Sequence, residues 1–378
     1  MSISRRKFAQ LLGAGAAAAV VRPALTFAND PSATPARGSV VRLSANENPY
    51  GPSPKALAAM RDSFSLACRY PDDRAGELVS ALSRLHNVGR EQILLGDGSG
   101  EILKLCADVF TGPLSADKKF GGALIVADPT FEAIVYHATN NGAEIVKIPL
   151  TSSYSHDLAK MLSAAKKGLI YLCNPNNPTG SITPENEVCD FVAKVPEETM
   201  ILVDEAYYHY AESSDYESVI PLVRDRSNLI VARTFSKIYG MAGLRCGYCI
   251  GHSVAIERLR ARQPWDSINI MAIVGAGAGL DDPGEVDLGR RRNKETREFT
   301  IAELERIGFK TIPSQTNFIM LDAQRPVVPL IATLKSHSVE VGRLFRAMPN
   351  HLRVTIGKKA EMETFLSAFR QITSASPG

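Results

Sequence analysis

The chain has 378 residues, 45% of them hydrophobic, which is above the size at which a single core divides, so two packed lobes are expected. Lysine and arginine number 43 against 40 acidic residues, and a formal charge of +3 gives no electrostatic bias toward nucleic acid or a membrane surface.

Residues 1–28 stand apart from the rest. Ser4-Arg5-Arg6-Lys7-Phe8 precedes an apolar stretch from Leu11 to Val21 and a small-residue site near Ala28, the layout of a removable export signal. The stretch is much shorter than the roughly 20 residues a permanent membrane-spanning helix needs. Arg5-Arg6 with Phe8 resembles a twin-arginine signal, which implies an exported, periplasmic protein with no membrane contact after signal removal. The plain alternative is a frayed basic helix on a cytoplasmic protein. Residues 29–38, rich in proline and small polar residues, read as a linker, and the folded body starts near Val40.

Short apolar runs then alternate with helical-length segments: Gln92–Leu95, Ala123–Val126, Glu144–Ile148, Gly168–Leu172, Met200–Val203, Asn228–Ala232 and Gly247–Ile250. Strands separated by helices predict an α/β lobe over 65–280 with a mostly parallel, buried central sheet. After Asp281-Asp282-Pro283-Gly284, the spacing predicts a charged helix from Asp287 to Ile307, closed by Gly308. Strands at Asn317–Leu321 and Leu352–Ile356 and a helix near 360–372 make residues 281–378 a smaller α+β lobe, to which 39–64 is expected to contribute. The six cysteines (68, 106, 173, 189, 246 and 249) fall mostly in apolar runs and are expected to be free thiols. Cys246 and Cys249 have metal-like spacing, but strand residues three apart face opposite ways, so no metal is expected.

The chemistry gathers at strand ends. Thr234-Phe235-Ser236-Lys237 follows a strand-like run, with Arg245 eight residues past the lysine. A lysine so placed can form an imine if burial or neighbouring cations lower its pKa, and Thr234, Ser236 and Arg245 can clamp a phosphate. Alone, such a lysine is more often a solvated surface residue. Gly96-Asp97-Gly98-Ser99-Gly100-Glu101 opens a helical segment and offers amides and a positive dipole end to an anion. Asp204 ends a strand-like run, where it is either a site residue or a helix-capping carboxylate.

Ser236-Lys237, Gly240, Ala242-Gly243, Arg245 and Gly247-Tyr248 together resemble the cofactor-lysine signature of fold-type I, class I and II aminotransferases. Within that class the chain is most similar to the histidinol-phosphate aminotransferase family, from about Leu43 to the C-terminal helix. The resemblance implies a large α/β domain with a smaller α+β domain, and pyridoxal 5′-phosphate (PLP) held as a Schiff base by Lys237. It implies that Asp204 pairs with the protonated pyridine nitrogen, and that Tyr207 and Asn177 (within Cys173-Asn174-Pro175-Asn176-Asn177-Pro178-Thr179-Gly180) bind the cofactor's phenolic oxygen. Gly98 and Ser99 would cradle the phosphate. Phe131, in Asp128-Pro129-Thr130-Phe131, would stack over the ring in place of a more usual tyrosine. Tyr70 would reach the cofactor of a neighbouring subunit, which implies a homodimer. Asn48, in the segment Leu43–Pro54, and Arg353, with Arg343 as a second contact, would meet the substrate, a guanidinium being suited to an acidic group.

The reaction implied moves an amino group from an amino acid or amine, of the histidinol phosphate or aromatic amino acid type, to a 2-oxo acid such as 2-oxoglutarate by a ping-pong mechanism. A decarboxylase of the threonine-phosphate type is the alternative, because the same electron sink serves either bond. A non-catalytic PLP-binding regulator would need a DNA-binding module, and none is legible in the chain.

Overall fold

A computed structural model describes residues 40–113 and 121–374, all within one unit, Thr34–Gly378. The expected signal (1–28) and linker (29–38) lie outside the described residues. The first half contains β1 (Val41–Leu43), α1 (Pro54–Asp62), α2 (Asp72–His86), β2 (Ile93–Gly96), α3 (Gly98–Phe110), β3 (Ala123–Asp128), α4 (Ala133–Asn140), β4 (Ile145–Pro149), α5 (Leu158–Ser163) and β5 (Gly168–Cys173). There follow α6 (Glu185–Lys194), β6 (Thr199–Asp204), β7 (Leu229–Thr234), β8 (Gly247–Gly251), α7 (Ser253–Arg260), α8 (Ile270–Leu280) and the long α9 (Pro283–Arg306). The chain closes with β9 (Thr311–Ile312), β10 (Phe318–Asp322), α10 (Val327–Ser336), β11 (Val339–Val341), β12 (His351–Thr355) and α11 (Lys359–Ser374).

Seven strands form the central sheet in the order β2-β8-β7-β6-β5-β3-β4, with β8 antiparallel to both neighbours and the remaining pairs parallel. Alternate residues of its inner strands feed two cores. Ile125, Ile170 and Val231 pack with α2, α5, α6 and α8, while Leu124, Leu169 and Ile230 pack with α3, α4 and α7. A sheet covered on both faces accounts for the unbroken apolar runs in its strands. Cys246 and Cys249 fall in opposite cores, as residues three apart in extended chain do. β7 runs on to Thr234, past the expected end at Ala232, because Thr234 still pairs with Gly247.

The smaller lobe holds the antiparallel sheet β12-β10-β9, the parallel pair β1-β11, and a separate core that includes Phe365 and Phe369 of α11. The segment 39–64, expected in this lobe, is divided. β1 pairs there, but α1 packs on α8 of the large lobe. α9 begins at Pro283, ahead of the expected Asp287, since proline suits a first helical turn whose N–H groups have no partner anyway.

Candidate active site

The parallel strands β5 and β6 end level, in register at Cys173↔Asp204, β7 runs two residues beyond its Asp204↔Ala232 pair, and α3 packs against β7. An open cleft of about 370 Å³ lies there, lined on the large-lobe side by Ser99, Phe131, Asn177, Asp204, Tyr207, Thr234, Ser236, Lys237 and Arg245. The carboxyl edge of such a sheet is where α/β proteins place their ligands, because loops and helix N-termini converge on it.

One end of the cavity is built for an anion. Gly98 turns the chain into α3 with φ +72°, and a Cβ there would stand 2.1 Å from the Arg245 guanidinium. Gly247 of β8 meets the first turn of α3 so closely that a Cβ would lie 2.4 Å from the Ser99 amide nitrogen. Both glycines therefore let backbone amides, the α3 dipole and one guanidinium crowd together. Arg245 has one good bond, to the Ala242 carbonyl at 3.0 Å, and longer contacts to Ser236 Oγ at 3.5 Å and the Asp97 carbonyl at 3.4 Å. Much of its donor capacity is free for a phosphate. The Thr234 hydroxyl accepts from the Ser236 amide at 3.0 Å and lies 3.4 Å from the Cys246 carbonyl, so it also shapes the turn carrying Ser236.

Toward the middle sit a lysine and a carboxylate. Burial pushes the Lys237 amine down to about 8, with the Arg353 charge adding to the effect and Asp204 opposing it. Burial likewise pushes Asp204 up to about 6, despite bonds from the Tyr171 hydroxyl at 2.9 Å and the Ala206 amide at 3.1 Å. The next residue, Glu205, faces away and forms a buried ion pair with Arg233 at 2.6 Å, shared with Ser218, which pins the ends of β6 and β7 together.

The small lobe closes the other side. Arg353 on β12 donates to Asn177 Oδ1 and to the Ser44 carbonyl, each at 2.7 Å, while its buried Nε has no partner among the described residues. Asn177 Nδ2 lies 3.4 Å from the Tyr207 hydroxyl, and Asn46 Nδ2 donates to that hydroxyl at 3.0 Å.

The cavity thus gathers most of the residues expected from the sequence. Asn48, Arg343 and Tyr70 stand differently. Asn48 does not line it, because its amide donates to the Ile238 carbonyl at 2.8 Å and its Oδ1 caps the Tyr50 amide; Asn46, two residues earlier, takes the place. Arg343 is exposed at an ion pair with Glu132, beside Phe131, rather than among the lining residues. Tyr70 is 79% exposed and outside the cavity of its own chain. Phe131 does line the cavity but remains 39% exposed. Sequence reasoning missed Asn46, Thr355 and Tyr171. Only Tyr171 left a signal, since a tyrosine within a buried strand needs a polar partner.

Donors converging on one end, an amine lowered toward neutrality by burial and a carboxylate raised by burial fit a ligand with a phosphate, an aldehyde and a basic ring nitrogen. The family description "Aminotransferase class I and II" matches residues 38–369. A histidinol-phosphate aminotransferase of Moorella thermoacetica is 38% identical over 339 residues, covering 88% of this chain and 85% of that protein. The crystal structure of histidinol-phosphate aminotransferase from Sinorhizobium meliloti in complex with pyridoxal-5′-phosphate is similar at TM-score 0.81 and 26% identity, covering 89% and 92% of the two chains. The L-threonine-O-3-phosphate decarboxylase of Porphyromonas gingivalis shares the fold at TM-score 0.76 and 22% identity, covering 89% of this chain and all of its own.

Proposed function

This chain belongs to the class I and II aminotransferases, and from that premise we propose which residues do its chemistry and which donor it takes. It is a PLP-dependent transaminase acting on an amino donor and a 2-oxo acid. The donor we propose is histidinol phosphate or an aromatic amino acid, with 2-oxoglutarate as acceptor, turned over by a ping-pong mechanism. The observation that carries the reading is the pairing of a depressed lysine and a raised carboxylate across one cavity.

When bound, PLP supplies an aldehyde that an amine can capture and a ring that takes up the electrons released by bond breaking beside the donor's nitrogen. The amides of Gly98 and Ser99, the hydroxyls of Thr234 and Ser236 and the Arg245 guanidinium hold the phosphate. Asp204 supplies the negative charge that keeps a ring nitrogen protonated, and that cation in turn relieves the cost of burying the carboxylate. Tyr207 and Asn177 bind the phenolic oxygen, and Phe131 covers the ring. Lys237 would anchor the aldehyde, and its amine nitrogen, once free, would take the α-proton of the donor as a general base. An amine lowered to about 8 suits that work, being a usable base near neutrality that is readily protonated again. Arg353 receives the donor's acidic group through the fork now turned to Asn177 and Ser44, with Arg343 at the rim. Tyr70, exposed in its own chain, reaches the site of a second copy, so the working form is a homodimer, checked by sedimentation. Arg5-Arg6 directs export, which Arg5→Lys with Arg6→Lys should abolish in cell fractionation.

The test is a scan of amino donors against the loaded protein. Transamination predicts one keto acid per amino group moved and the cofactor's absorbance shifting to its amine form on adding donor alone. Release of CO₂ without keto acid would instead favour the decarboxylase reading.

A further inference from the structure

One residue touches both the lysine and the tyrosine of the site, and it belongs to neither β6 nor β7. Asn46 is 2% exposed and held in the left-handed region at φ 54°. Its side-chain amide donates to the Tyr207 hydroxyl at 3.0 Å, and its carbonyl accepts from Lys237 Nζ at 3.1 Å. It is itself held from the small lobe. The Thr355 hydroxyl accepts from the Asn46 backbone N–H at 2.9 Å and donates to Asn46 Oδ1 at 3.0 Å, while Asn317 Nδ2 donates to the Asn46 backbone carbonyl at 3.0 Å. Thr355 lies on β12, two residues from Arg353.

We propose that Asn46, oriented by Thr355, is a positioning residue that sets the donor strength of the Tyr207 hydroxyl and parks the free Lys237 amine, linking the small lobe's substrate-side strand to the reacting pair. The Thr355 hydroxyl fixes the amide's rotation, since with Oδ1 turned to Thr355 the NH₂ must face Tyr207. A hydroxyl that accepts a hydrogen bond becomes a better donor, as bonds in a chain polarise one another. A carbonyl acceptor suits the free lysine amine, whose N–H groups can turn toward it, whereas an imine nitrogen has at most one N–H and that is fixed in direction.

The inference rests on the functional reading above, in which Tyr207 donates to the cofactor's phenolic oxygen, and the test separates the two. The loaded wild type is titrated with pH by following the cofactor's absorbance, alongside Asn46→Gly, Thr355→Val and Thr355→Ser, and each sample is trapped with borohydride. Glycine tolerates the left-handed backbone and valine keeps threonine's shape, so both variants should fold. A weakened Tyr207 donor stabilises the cofactor's anionic oxygen less. The absorbance midpoint should therefore rise by about half a pH unit or more in Asn46→Gly and Thr355→Val, the size expected for one hydrogen bond, and return to the wild-type value in Thr355→Ser. Should Asn46→Gly fail to load, the threonine pair decides alone. Variants that carry the Lys237 adduct yet titrate with the wild type overturn the inference alone. A wild type with no adduct at Lys237 overturns the functional reading and this inference with it.

Discussion

Asp204 and Lys237 each hold a protonation state that burial alone disfavours. A carboxyl whose folded pKa is raised binds protons more tightly in the native state, so its burial costs stability above about pH 6 and stops doing so below about pH 4. Asp204→Asn removes that cost while keeping the shape and an acceptor for Tyr171. It is expected to raise the stability of the cofactor-free protein at pH 8 by on the order of 1–3 kcal/mol in chemical denaturation, while transamination is lost. Lower stability in the variant would contradict this account of the carboxylate. Strand-end position and short-range neighbours pointed to Lys237, Asp204 and Arg245, and the family resemblance to Tyr207; all four line the cleft. Asn46 was not. It and Asn48 lie in one polar segment, and only the left-handed turn at 46 and the approach of β12 decide which amide enters the site.

Among elements, the α3 N-terminus shows most directly how backbone geometry sets chemistry. Replacing Gly98 by alanine puts a Cβ into the Arg245 guanidinium and forces an alanine to φ +72°. A left-handed alanine costs about 1–2 kcal/mol, and the displaced arginine adds to the loss. Gly98→Ala should therefore weaken cofactor affinity at least tenfold in a fluorescence titration, with the affinity for the donor changed less; wild-type cofactor affinity would refute the cradle. The glycine-rich turn was visible in the sequence, as was the charged helix now seen as α9. Strands of two or three residues, β1, β9 and β11, were not, because such short pieces are defined by their partners across the chain and have no periodicity of their own.

For the whole molecule, buried imidazoles set the response to acid. Burial lowers His156 to about 4, and burial together with the Arg233 charge lowers His86 to about 4. A histidine neutral in the fold and ready to protonate once exposed contributes stability that is complete above about pH 6.5 and is lost as the pH falls toward 4. Asp204 acts in the opposite sense over nearly the same range, but one carboxyl is outweighed by two imidazoles and by His209, which burial also lowers. The melting temperature of the cofactor-free protein should fall between pH 7 and pH 5, His156 alone contributing about 2 kcal/mol, and His156→Gln should flatten the decline. A flat profile in the wild type would contradict it. At this scale the α/β class and mostly parallel sheet were legible because seven apolar runs separated by helices admit few other arrangements. The division of segment 39–64 between lobes was not, since nothing local in α1 distinguishes α8 from the small-lobe core as its partner.

One covalent attachment, between Lys237 and the cofactor's aldehyde, is the centre of the proposed chemistry. Borohydride reduction of the loaded wild type, followed by peptide mass spectrometry, should give a single reduced pyridoxyl adduct on Lys237 and none in Lys237→Ala. A wild type that holds the cofactor with no adduct, or with the adduct on another lysine, would contradict it.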